Sequence, residues 1–297
     1  MLSILILTYN YNVYPLVENL RKRALKSDII FEIICIDDGS NSNLNSKNEH
    51  INSLTNCKFI ERKTNIGRTA TRQELAKQAQ YDWLLFLDAD VMPKNDAFLT
   101  QYMSLTLEPI EAVFGGFAYR ELDYKKENSL RYYFGKKREE TDASIRNKNP
   151  YKITISANFL IKKNIFTNNL DLSNENRYGL DYMFGATLKK HKVQVLHINN
   201  EVYHRAIDTN SAFIDKTKCA LKTLKTLFLE KKIEDHEISI LKAYLKLKAF
   251  RINNAYGSFF KLFNKTIENY LLSSNSPSLL IFDLYRLGYF CRIKSNT

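Results

Sequence analysis

Two carboxylates follow a strongly apolar segment in the first third of the chain. Residues 83–87 are all apolar, and Asp88-Ala89-Asp90 comes directly after them. A short apolar run bounded by turn-forming residues predicts a buried strand. Ligands of open α/β sheets bind beyond the carboxyl ends of the strands, and carboxylate oxygens are preferred ligands of hard divalent cations. Taken alone, the same pattern also fits an acidic surface loop.

Other apolar runs end in similar polar groups. Residues 2–7 and 31–36 are strand-like, and strand-like segments alternate with helix-like ones through the first hundred residues. This alternation is typical of a parallel sheet with crossover helices. Since the carboxyl ends of parallel strands meet at one edge of the sheet, we expect three polar strand ends to converge there. They are Thr8-Tyr9-Asn10, Asp37-Asp38-Gly39-Ser40 and Asp88-Ala89-Asp90.

The rest of the chain has a second strand-rich part and a helical end. Residues 112–118, 153–161 and 193–198 are predicted strands, and the pair Gly115-Gly116 indicates a bend or a close approach of the backbone. The charged, turn-rich segment 119–150 is predicted to be a mobile loop. A helix is predicted to begin near Leu180, and beyond about residue 211 apolar residues recur with helical spacing.

The composition indicates a folded protein that is attracted to anionic partners. The chain has 297 residues, 44% of them hydrophobic, which is enough for one enlarged α/β domain or a catalytic domain with an appendage. Its net charge is +12, and residues 206–297 alone carry 15 Lys/Arg and 8 Asp/Glu. A lipid surface, a nucleotide or an acidic polymer would suit this charge, and so would a solvated basic helix face. Four cysteines without CxxC spacing favour a reducing compartment, and we expect no membrane span.

The ordered set of strand-end motifs resembles that of a family 2 glycosyltransferase with the GT-A fold. The set also includes Asn65-Ile66-Gly67, Arg72 and Asp181, and the resemblance covers about residues 1–205. It implies an α/β, Rossmann-like fold with a mainly parallel central sheet and helices on both faces, plus a C-terminal helical region. The nucleotide-sugar half would be about residues 1–110 and the acceptor half about 111–205. Residues 206–297 would form a basic helical extension.

The resemblance implies a nucleotide-diphosphate sugar as donor, a Mn²⁺ or Mg²⁺ ion, and inversion at the anomeric carbon. A nucleobase needs a planar face and hydrogen-bonding groups, which Tyr9 and Asp38 would supply. An imide N–H facing Asp38 would favour uracil, and hence a UDP-sugar. Thr8 and Asn10 join them as predicted nucleotide contacts. Because Asp, Gly and Ser are common turn residues, an ordinary turn at residues 37–40 is the alternative.

The diphosphate side of the predicted site combines basic and acidic residues. Asn65 and Arg72 are predicted to bind the nucleotide, because a guanidinium suits an anionic diphosphate. Arg68, about one helical turn earlier, is equally open to a surface role. Asp88 and Ala89 are expected to contact the donor, with Asp88 at the ribose or at a water near the metal.

The metal is assigned to two residues. Asp90 is expected to coordinate the ion that bridges the two phosphates and stabilises the leaving diphosphate. His204, in Val202-Tyr203-His204-Arg205, resembles the remaining protein ligand of the metal in many relatives. His191 and His197 lack this match and are expected to be surface or core histidines.

Asp181 is the predicted catalytic base. An inverting displacement needs a carboxylate to take the proton of the acceptor hydroxyl as the new bond forms. Relatives carry Glu-Asp at this position, and here Leu180 replaces the Glu, which puts the hydrogen bonding of the acceptor in question. The simpler alternative is that Asp181 caps a helix. Gly116, Ser156 and Asn158 are predicted to lie on the acceptor side.

These assignments favour a metal-dependent, inverting transferase that moves a sugar from a UDP-sugar to a glycan or lipid-linked glycan, as in bacterial surface polysaccharide synthesis. We expect a cytoplasmic location, and the basic extension is compatible with peripheral contact at the inner face of the membrane. A sugar-nucleotide nucleotidyltransferase is the alternative enzyme, although Thr8-Tyr9-Asn10-Tyr11-Asn12 lacks the glycines of a phosphate loop. A non-catalytic module for an anionic polymer such as nucleic acid would leave the acidic strand ends unexplained, so no nucleic-acid partner is expected.

Overall fold

The computed structural model of the chain describes residues 1–169, 179–233 and 238–293. Its strands are β1 Leu2–Thr8, β2 Phe31–Asp37, β3 Cys57–Glu61, β4 Trp83–Asp88, β5 Val91–Pro93, β6 Ala112–Phe114, β7 Phe117–Ala118, β8 Asn158–Lys162, β9 Val195–His197 and β10 Val202–His204. Its helices are α1 Tyr14–Lys26, α2 Asn45–Asn48, α3 Arg68–Gln78, α4 Phe98–Ser104, α5 Ser129–Phe134, α6 Ala143–Arg146, α7 Lys163–Asn169, α8 Asp181–Lys190, α9 Asn210–Leu229, α10 Ser239–Ala249, α11 Asn253–Ser273 and α12 Leu279–Arg292.

The chain folds into two compact units. The first contains Met1–Ala118, Thr141–Asn176 and Thr187–Ala206, and the second contains Tyr119–Glu140, Arg177–Ala186 and Ile207–Thr297. The second unit therefore takes two segments from within the predicted catalytic region in addition to the C-terminal helices. The boundary expected near residue 205 stays a prediction.

A seven-stranded sheet forms the centre of the first unit, with the order β3-β2-β1-β4-β8-β6-β9. The pairs β1–β2, β1–β4, β2–β3 and β6–β9 are parallel, and β8 runs antiparallel to both β4 and β6. The predicted α/β fold with a mainly parallel central sheet is confirmed.

Alternation along the strands explains why helices cover this sheet on both faces. Successive side chains of a strand point to opposite faces. Leu85 belongs to the same buried cluster as Leu16 and Leu20 of α1. Phe86, its neighbour in β4, instead packs against Phe166 of α7, with ring centroids 4.5 Å apart. Both faces of β4 are thus covered, which accounts for its continuous run of apolar residues.

A second, three-stranded sheet was not predicted. Its order is β5-β10-β7, with β10 antiparallel to β5 and parallel to β7. The predicted strand 112–118 is in fact two strands, because the chain leaves the large sheet at Gly115-Gly116 and enters the small one at Phe117. Gly116 has a φ of 95° and lies over the Arg146 guanidinium, so a side chain at this position would strain the turn.

The prediction of a loop at residues 119–150 is wrong. The segment contains α5, and Gly135–Glu139 continues it as a wider helical turn in which the Glu140 N–H donates to the Gly135 carbonyl at 2.9 Å. Two of its ion pairs lie within the segment, since Arg131 contacts Glu139 at 3.0 Å and Lys136 contacts Glu140 at 2.8 Å. The predicted strand 153–161 was placed too early, because β8 begins only at Asn158.

The predicted C-terminal helices are confirmed as α9 to α12 in the second unit. Leu221, Leu224 and Leu227 of α9 share a buried cluster with Tyr244 and Phe290. The Lys225 ammonium lies 3.7 Å from the centroid of the Tyr244 ring, so this cluster also holds a cation against an aromatic face. Among the helices that the structure describes, none is long and apolar enough to cross a membrane.

A buried histidine, His197, holds the Arg146 side chain that lies against Gly116. The His197 Nδ1 accepts from the Arg146 Nε at 3.2 Å, and Nε2 lies 2.9 Å from the Pro150 carbonyl oxygen, so the neutral ring with the proton on Nε2 satisfies both partners. Burial, helped by the Arg146 charge, lowers the pKa of His197 to about 4, although the Pro150 carbonyl opposes the shift. His197 is therefore the core histidine expected from the sequence, and His191 is exposed.

This histidine predicts a loss of stability in mild acid. The unfolded chain binds a proton at His197 below about pH 6.5, whereas the folded chain does so only near pH 4. Stability is therefore complete above the unfolded pKa and falls as the pH drops between these values, by about 2 kcal/mol at pH 5. Urea unfolding followed through Trp83, the single tryptophan, should show this loss, and His197→Gln should remove it. His191→Gln is the control, and an unchanged pH dependence in His197→Gln would contradict the assignment.

Candidate active site

The polar ends of β1, β2 and β4 lie side by side, as the sequence predicts. The parallel register pairs Thr8 with Asp37 and Leu7 with Asp88. Thr8 is buried, and its hydroxyl donates to the Tyr11 carbonyl at 3.2 Å, which shapes the loop after β1. The carboxyl edge of the large sheet therefore carries a row of polar groups within one unit.

Asp38 organises the neighbouring loops. Its two carboxylate oxygens accept from the backbone N–H groups of Ile66 and Gly67 at 3.0 and 2.9 Å. Gly39, with a φ of 70°, lies so close to the backbone at Thr64 that a Cβ would collide with it. Only 2% of Asp38 is exposed, so its evident role here is to hold the turn that begins α3. The expected contact between Asp38 and a nucleobase stays a prediction.

Three of the predicted nucleotide contacts are at the surface. The Tyr9 side chain is 56% exposed, which leaves a ring face available for stacking. Asn10 has a φ of 50°, and its side-chain oxygen accepts from the Ser42 hydroxyl at 2.7 Å, so the loops after β1 and β2 are tied together. Asn65 is exposed in the loop after β3.

Two arginines of α3 hold the Asp88 carboxylate. The Arg68 Nη2 contacts both Asp88 oxygens at 2.9 and 2.7 Å, and the Arg72 Nη2 contacts Oδ1 at 2.7 Å. Arg68 also donates to the Ser156 hydroxyl at 3.1 Å, and Arg72 donates to the Ser156 carbonyl at 2.5 Å. The spacing of four residues puts both guanidinium groups on one side of the helix. Arg68 thus joins Arg72 at the strand end, and a functional role for it stays a prediction.

The surroundings of Asp88 and Asp90 shift their pKa values in opposite directions. Burial acts to raise the pKa of Asp88, but the nearby guanidinium groups of Arg68 and Arg72, with His204, outweigh it and lower that pKa. The pKa of Asp90 is raised, first by burial and then by the charge of Asp88, against the attraction of His204. The charge of Asp88 is therefore compensated by protein cations to a greater extent than that of Asp90.

Asp90 and His204 come together through the small sheet. β10 pairs antiparallel with β5 so that His204 faces Val91, and the Arg205 N–H donates to the Asp90 carbonyl at 2.8 Å. As a result the His204 Nε2 lies 3.8 Å from the Asp90 Oδ2, and both side chains are partly exposed. The sequence placed these two residues in one site, and the structure brings them together.

The pair fits a divalent cation. With metal–ligand bonds of about 2.1 Å, two donors on one ion are roughly 3 to 4 Å apart, which matches the Oδ2–Nε2 distance. A cation between them would also offset the burial and the repulsion from Asp88 that raise the pKa of Asp90. The described residues contain no cluster of three or more His, Cys, Asp or Glu side chains suited to a metal.

Tyr11 was missed by the sequence analysis. Burial first, and then the charge of Asp90, raises the pKa of Tyr11, so this phenol lies within reach of the Asp90 charge. No spacing rule singles out a tyrosine in a strand-end loop, so the position of Tyr11 becomes evident only from the folded chain.

The residues predicted on the acceptor side have partners within the fold, and their contact with an acceptor stays a prediction. Asn158 is fully buried; its Oδ1 accepts from the Tyr102 hydroxyl at 2.7 Å and its Nδ2 donates to the Gly116 and Asn200 carbonyls at 3.0 and 2.9 Å. Asn158 thus supports the Gly116 turn, and a direct contact with an acceptor would require these bonds to break. Ser156 lies against the two arginines, as described above.

The remaining predicted residues are Ala89 and Asp181. Ala89 is buried between the two carboxylates of the acidic motif. Asp181 is the first residue of α8, but its side chain lies outside the part of the chain that the structure describes. The preceding Leu180 is buried in the second unit, in the cluster that contains Leu221 and Leu224 of α9.

Residues 3–170 match the sequence model of a family described as glycosyl transferase family 2. The matched stretch is more than half of the chain. A comparison with curated protein sequences gave no match.

Three solved structures illustrate the similarity of the fold. The mannosyltransferase PcManGT from Pyrobaculum calidifontis, in complex with GDP-Man and Mn²⁺, has a TM-score of 0.51 at 15% identity over 74% of this chain and 61% of that one. S. aureus TarS has a TM-score of 0.54 at 14% identity over 97% of this chain and 54% of its own. Glucosyl-3-phosphoglycerate synthase from Mycobacterium tuberculosis, in complex with Mn²⁺, UDP and glucosyl-3-phosphoglycerate, has a TM-score of 0.53 at 15% identity, covering 80% of this chain and 81% of that one.

This chain therefore spans less than two thirds of the length of PcManGT and TarS. At these identities the likeness concerns the fold alone, and it agrees with the GT-A architecture expected from the sequence.

The arginine pair gives a prediction about stability. The Arg72 side chain is only 12% exposed, whereas that of Arg68 is 41% exposed. Removal of a buried partner leaves a carboxylate poorly compensated, and an exposed ion pair contributes little. We expect Arg72→Met to lower the free energy of unfolding by about 2 kcal/mol or more, and Arg68→Met by less than about 1 kcal/mol. Urea unfolding of both variants tests this, with exposed Lys77→Met of the same helix as the control; equal losses would count against it.

Proposed function

This chain belongs to glycosyl transferase family 2, and we propose that it transfers one sugar from a UDP-sugar to a hydroxyl of a glycan or lipid-linked glycan, with inversion at the anomeric carbon. The observation that carries the proposal is the pairing of Asp90 with His204 at 3.8 Å beside an arginine-bound Asp88. This arrangement offers a cation site and two guanidinium groups at one strand edge, which suits a diphosphate.

The donor part of the proposal is supported by the loops at this edge. Exposed Tyr9 offers a ring for a base, and the exposed Asn65 lies in the loop that Asp38 helps to form. Among the solved structures of similar fold, one contains GDP-Man and another contains UDP. We propose UDP because an imide N–H of uracil would match the Asp38 carboxylate, whose oxygens have lone pairs left to accept it in addition to the Ile66 and Gly67 N–H groups.

Asp90 and His204 are the residues that would hold a divalent metal. An imidazole ligand favours Mn²⁺ over Mg²⁺, since Mg²⁺ prefers oxygen ligands. The metal, when bound, supplies positive charge that stabilises the diphosphate as it leaves. Arg68 and Arg72 add fixed positive charge on the same edge, and their bonds to Asp88 and Ser156 hold them in place. Such preorganised charge is most effective where the leaving group becomes negative.

The transfer itself needs a base. The acceptor oxygen attacks the anomeric carbon, the bond from that carbon to the diphosphate oxygen breaks, and the electron pair leaves with the diphosphate. The acceptor proton moves to a carboxylate, for which we propose Asp181 at the start of α8. This assignment rests on the position of Asp181 in the motif of the family. Leu180, where relatives carry Glu, means that an acceptor hydroxyl must find another hydrogen-bond partner.

A role in bacterial surface polysaccharide synthesis agrees with this chemistry. A lipid-linked acceptor would bring the enzyme to the inner face of the membrane, and the basic C-terminal region would favour anionic lipid there. We accordingly propose a cytoplasmic enzyme with peripheral membrane contact.

Donor binding should depend on the metal site. We expect UDP with Mn²⁺ to raise the melting temperature of the protein, and EDTA or Asp90→Ala to remove that increase. Asp90→Ala should still fold, because its side chain is partly exposed. Glu18→Ala, which removes only a surface ion pair with Lys22, is the matched control. An increase with UDP that survives both EDTA and Asp90→Ala would exclude this metal site. An increase in melting temperature with RNA alone would favour the alternative of a non-catalytic module that binds an anionic polymer.

Substitution of Asp181 should reduce the rate of sugar transfer without weakening donor binding. We expect Asp181→Asn to keep the UDP-dependent increase in melting temperature and to reduce transfer by at least about 100-fold, the lower limit for loss of a general base. The measurement is release of UDP from a panel of UDP-sugars in the presence of a glycan acceptor. Asp215→Asn, on the exposed side of α9, is the control. Equal transfer by Asp181→Asn would assign the base to another residue.

A further inference from the structure

The solvent-facing side of α11 is apolar along most of its length. Positions i, i+3, i+4 and i+7 of a helix lie on one face. Phe259, Leu262, Phe263 and Tyr270 follow this spacing, and they are exposed by 60, 76, 45 and 37% respectively. Ile252, just before the helix, is 47% exposed and continues the same face.

The opposite side of α11 already has its partners within the second unit. Phe260 is buried against Gly288 of α12, with the Tyr285 ring 5.4 Å away, and Leu271 is fully buried. Glu268 accepts from the Tyr285 hydroxyl and from the Lys218 ammonium. The helix is therefore anchored by one face, and the exposed apolar face is not needed to hold it.

The apolar face extends onto α12 and the loop before α11. The Tyr256 hydroxyl donates to the Leu284 carbonyl at 3.1 Å, which brings this turn of α12 next to the face. Leu284 is 45% exposed, Leu280 one turn earlier is 68% exposed, and Phe250 is 76% exposed. Together these side chains expose on the order of 700 Å² of apolar surface, more than soluble monomers usually leave in one patch.

The helix that carries this face is basic. The segment 239–273 contains six Lys/Arg and one Asp/Glu, and the one acid, Glu268, is paired with Lys218. Lys265 is three residues after Leu262 and borders the face, and Lys261 lies one turn before Lys265 on the same flank of α11. Lys246 and Lys248 are exposed at the end of α10. On α12, Asp283 is paired with Arg138 and Arg286. An apolar helix face with flanking lysines is the pattern of helices that lie in the interface of an anionic bilayer.

We propose that the surface formed by Phe250, Ile252, Phe259, Leu262, Phe263, Leu280 and Leu284, with its flanking lysines, docks on the surface of an anionic lipid bilayer. The apolar side chains enter the region between the headgroups and the acyl chains, and the lysines bind the headgroups. A second copy of the chain fits less well. A two-fold contact places the same patch on both partners, so Lys261 and Lys265 would face their own counterparts.

This inference names the surface for the membrane contact in the proposed function and rests on that part of it. It does not depend on donor binding, which belongs to the first unit. The bilayer would hold the second unit where a lipid-linked acceptor is found. Docking needs no step of the transfer reaction, so the two can be tested separately.

Vesicle sedimentation of the full chain tests the proposal. We expect binding to vesicles of phosphatidylglycerol and phosphatidylcholine, little binding to pure phosphatidylcholine, and release in high salt. Phe259→Gln with Leu262→Gln should weaken binding by at least about tenfold. Lys261→Glu with Lys265→Glu should do so to a similar extent and only for the anionic vesicles. The controls are exposed Leu107→Gln, and Lys26→Glu with Lys77→Glu, all in the first unit.

The donor-dependent increase in melting temperature is measured on the same variants and should be unchanged. Vesicle binding without any response to UDP and Mn²⁺ would support the docking surface and remove the transferase proposal. The docking proposal would be overturned if the wild-type protein did not bind anionic vesicles. It would also be overturned if Phe259→Gln with Leu262→Gln, or Lys261→Glu with Lys265→Glu, bound them as well as the wild type does. A dimer that Phe259→Gln with Leu262→Gln dissociates, without vesicle binding, would also overturn it and make this face an interface between copies.

Discussion

The candidate site depends on how the charges of two carboxylates, separated by a single alanine, are compensated. Asp88 and Asp90 repel each other at the end of a buried strand, and the repulsion is larger there than in water. The chain compensates Asp88 with Arg68 and Arg72, which lower its pKa, and leaves Asp90 beside His204 with a raised pKa. The charge of Asp88 is thus compensated by cations of the protein, whereas Asp90 is suited to an external cation.

This division also explains why the two acids are not interchangeable. Asp88 holds two guanidinium groups that would otherwise repel each other, and it sets their direction toward Ser156. Asp90 has its carbonyl fixed by the Arg205 N–H, so its side chain is positioned relative to β10. Asp90 lies in the turn between β4 and β5, and this hydrogen bond ties the turn to the end of β10. The turn at Gly116, supported by Asn158, directs the chain from the large sheet to the small one, whose strand β10 carries His204.

Much of the first unit could be predicted from the sequence because its signals are local. The apolar runs of β1, β2 and β4 and their polar ends are visible without any contact information, and they predicted the edge where the site lies. The small sheet was missed because β5, β7 and β10 have only three, two and three residues, too few for a period-two pattern. The charge run at 136–140 was taken for a loop because its ion pairs to Arg131 and within the helical turn depend on the fold. The burial of Asp38 could not be predicted either, because it depends on the approach of the loop that contains Ile66 and Gly67.

Leu180 shows how the second unit constrains the first turn of α8. Gly179 has a φ of 94° and lies against the backbone of Ala220 in α9, so the chain reaches this helix only because residue 179 lacks a side chain. The next side chain, Leu180, is then buried among Leu221 and Leu224. A glutamate there would lose its hydration without a partner, a cost of several kcal/mol. The leucine therefore follows from packing of the helical unit.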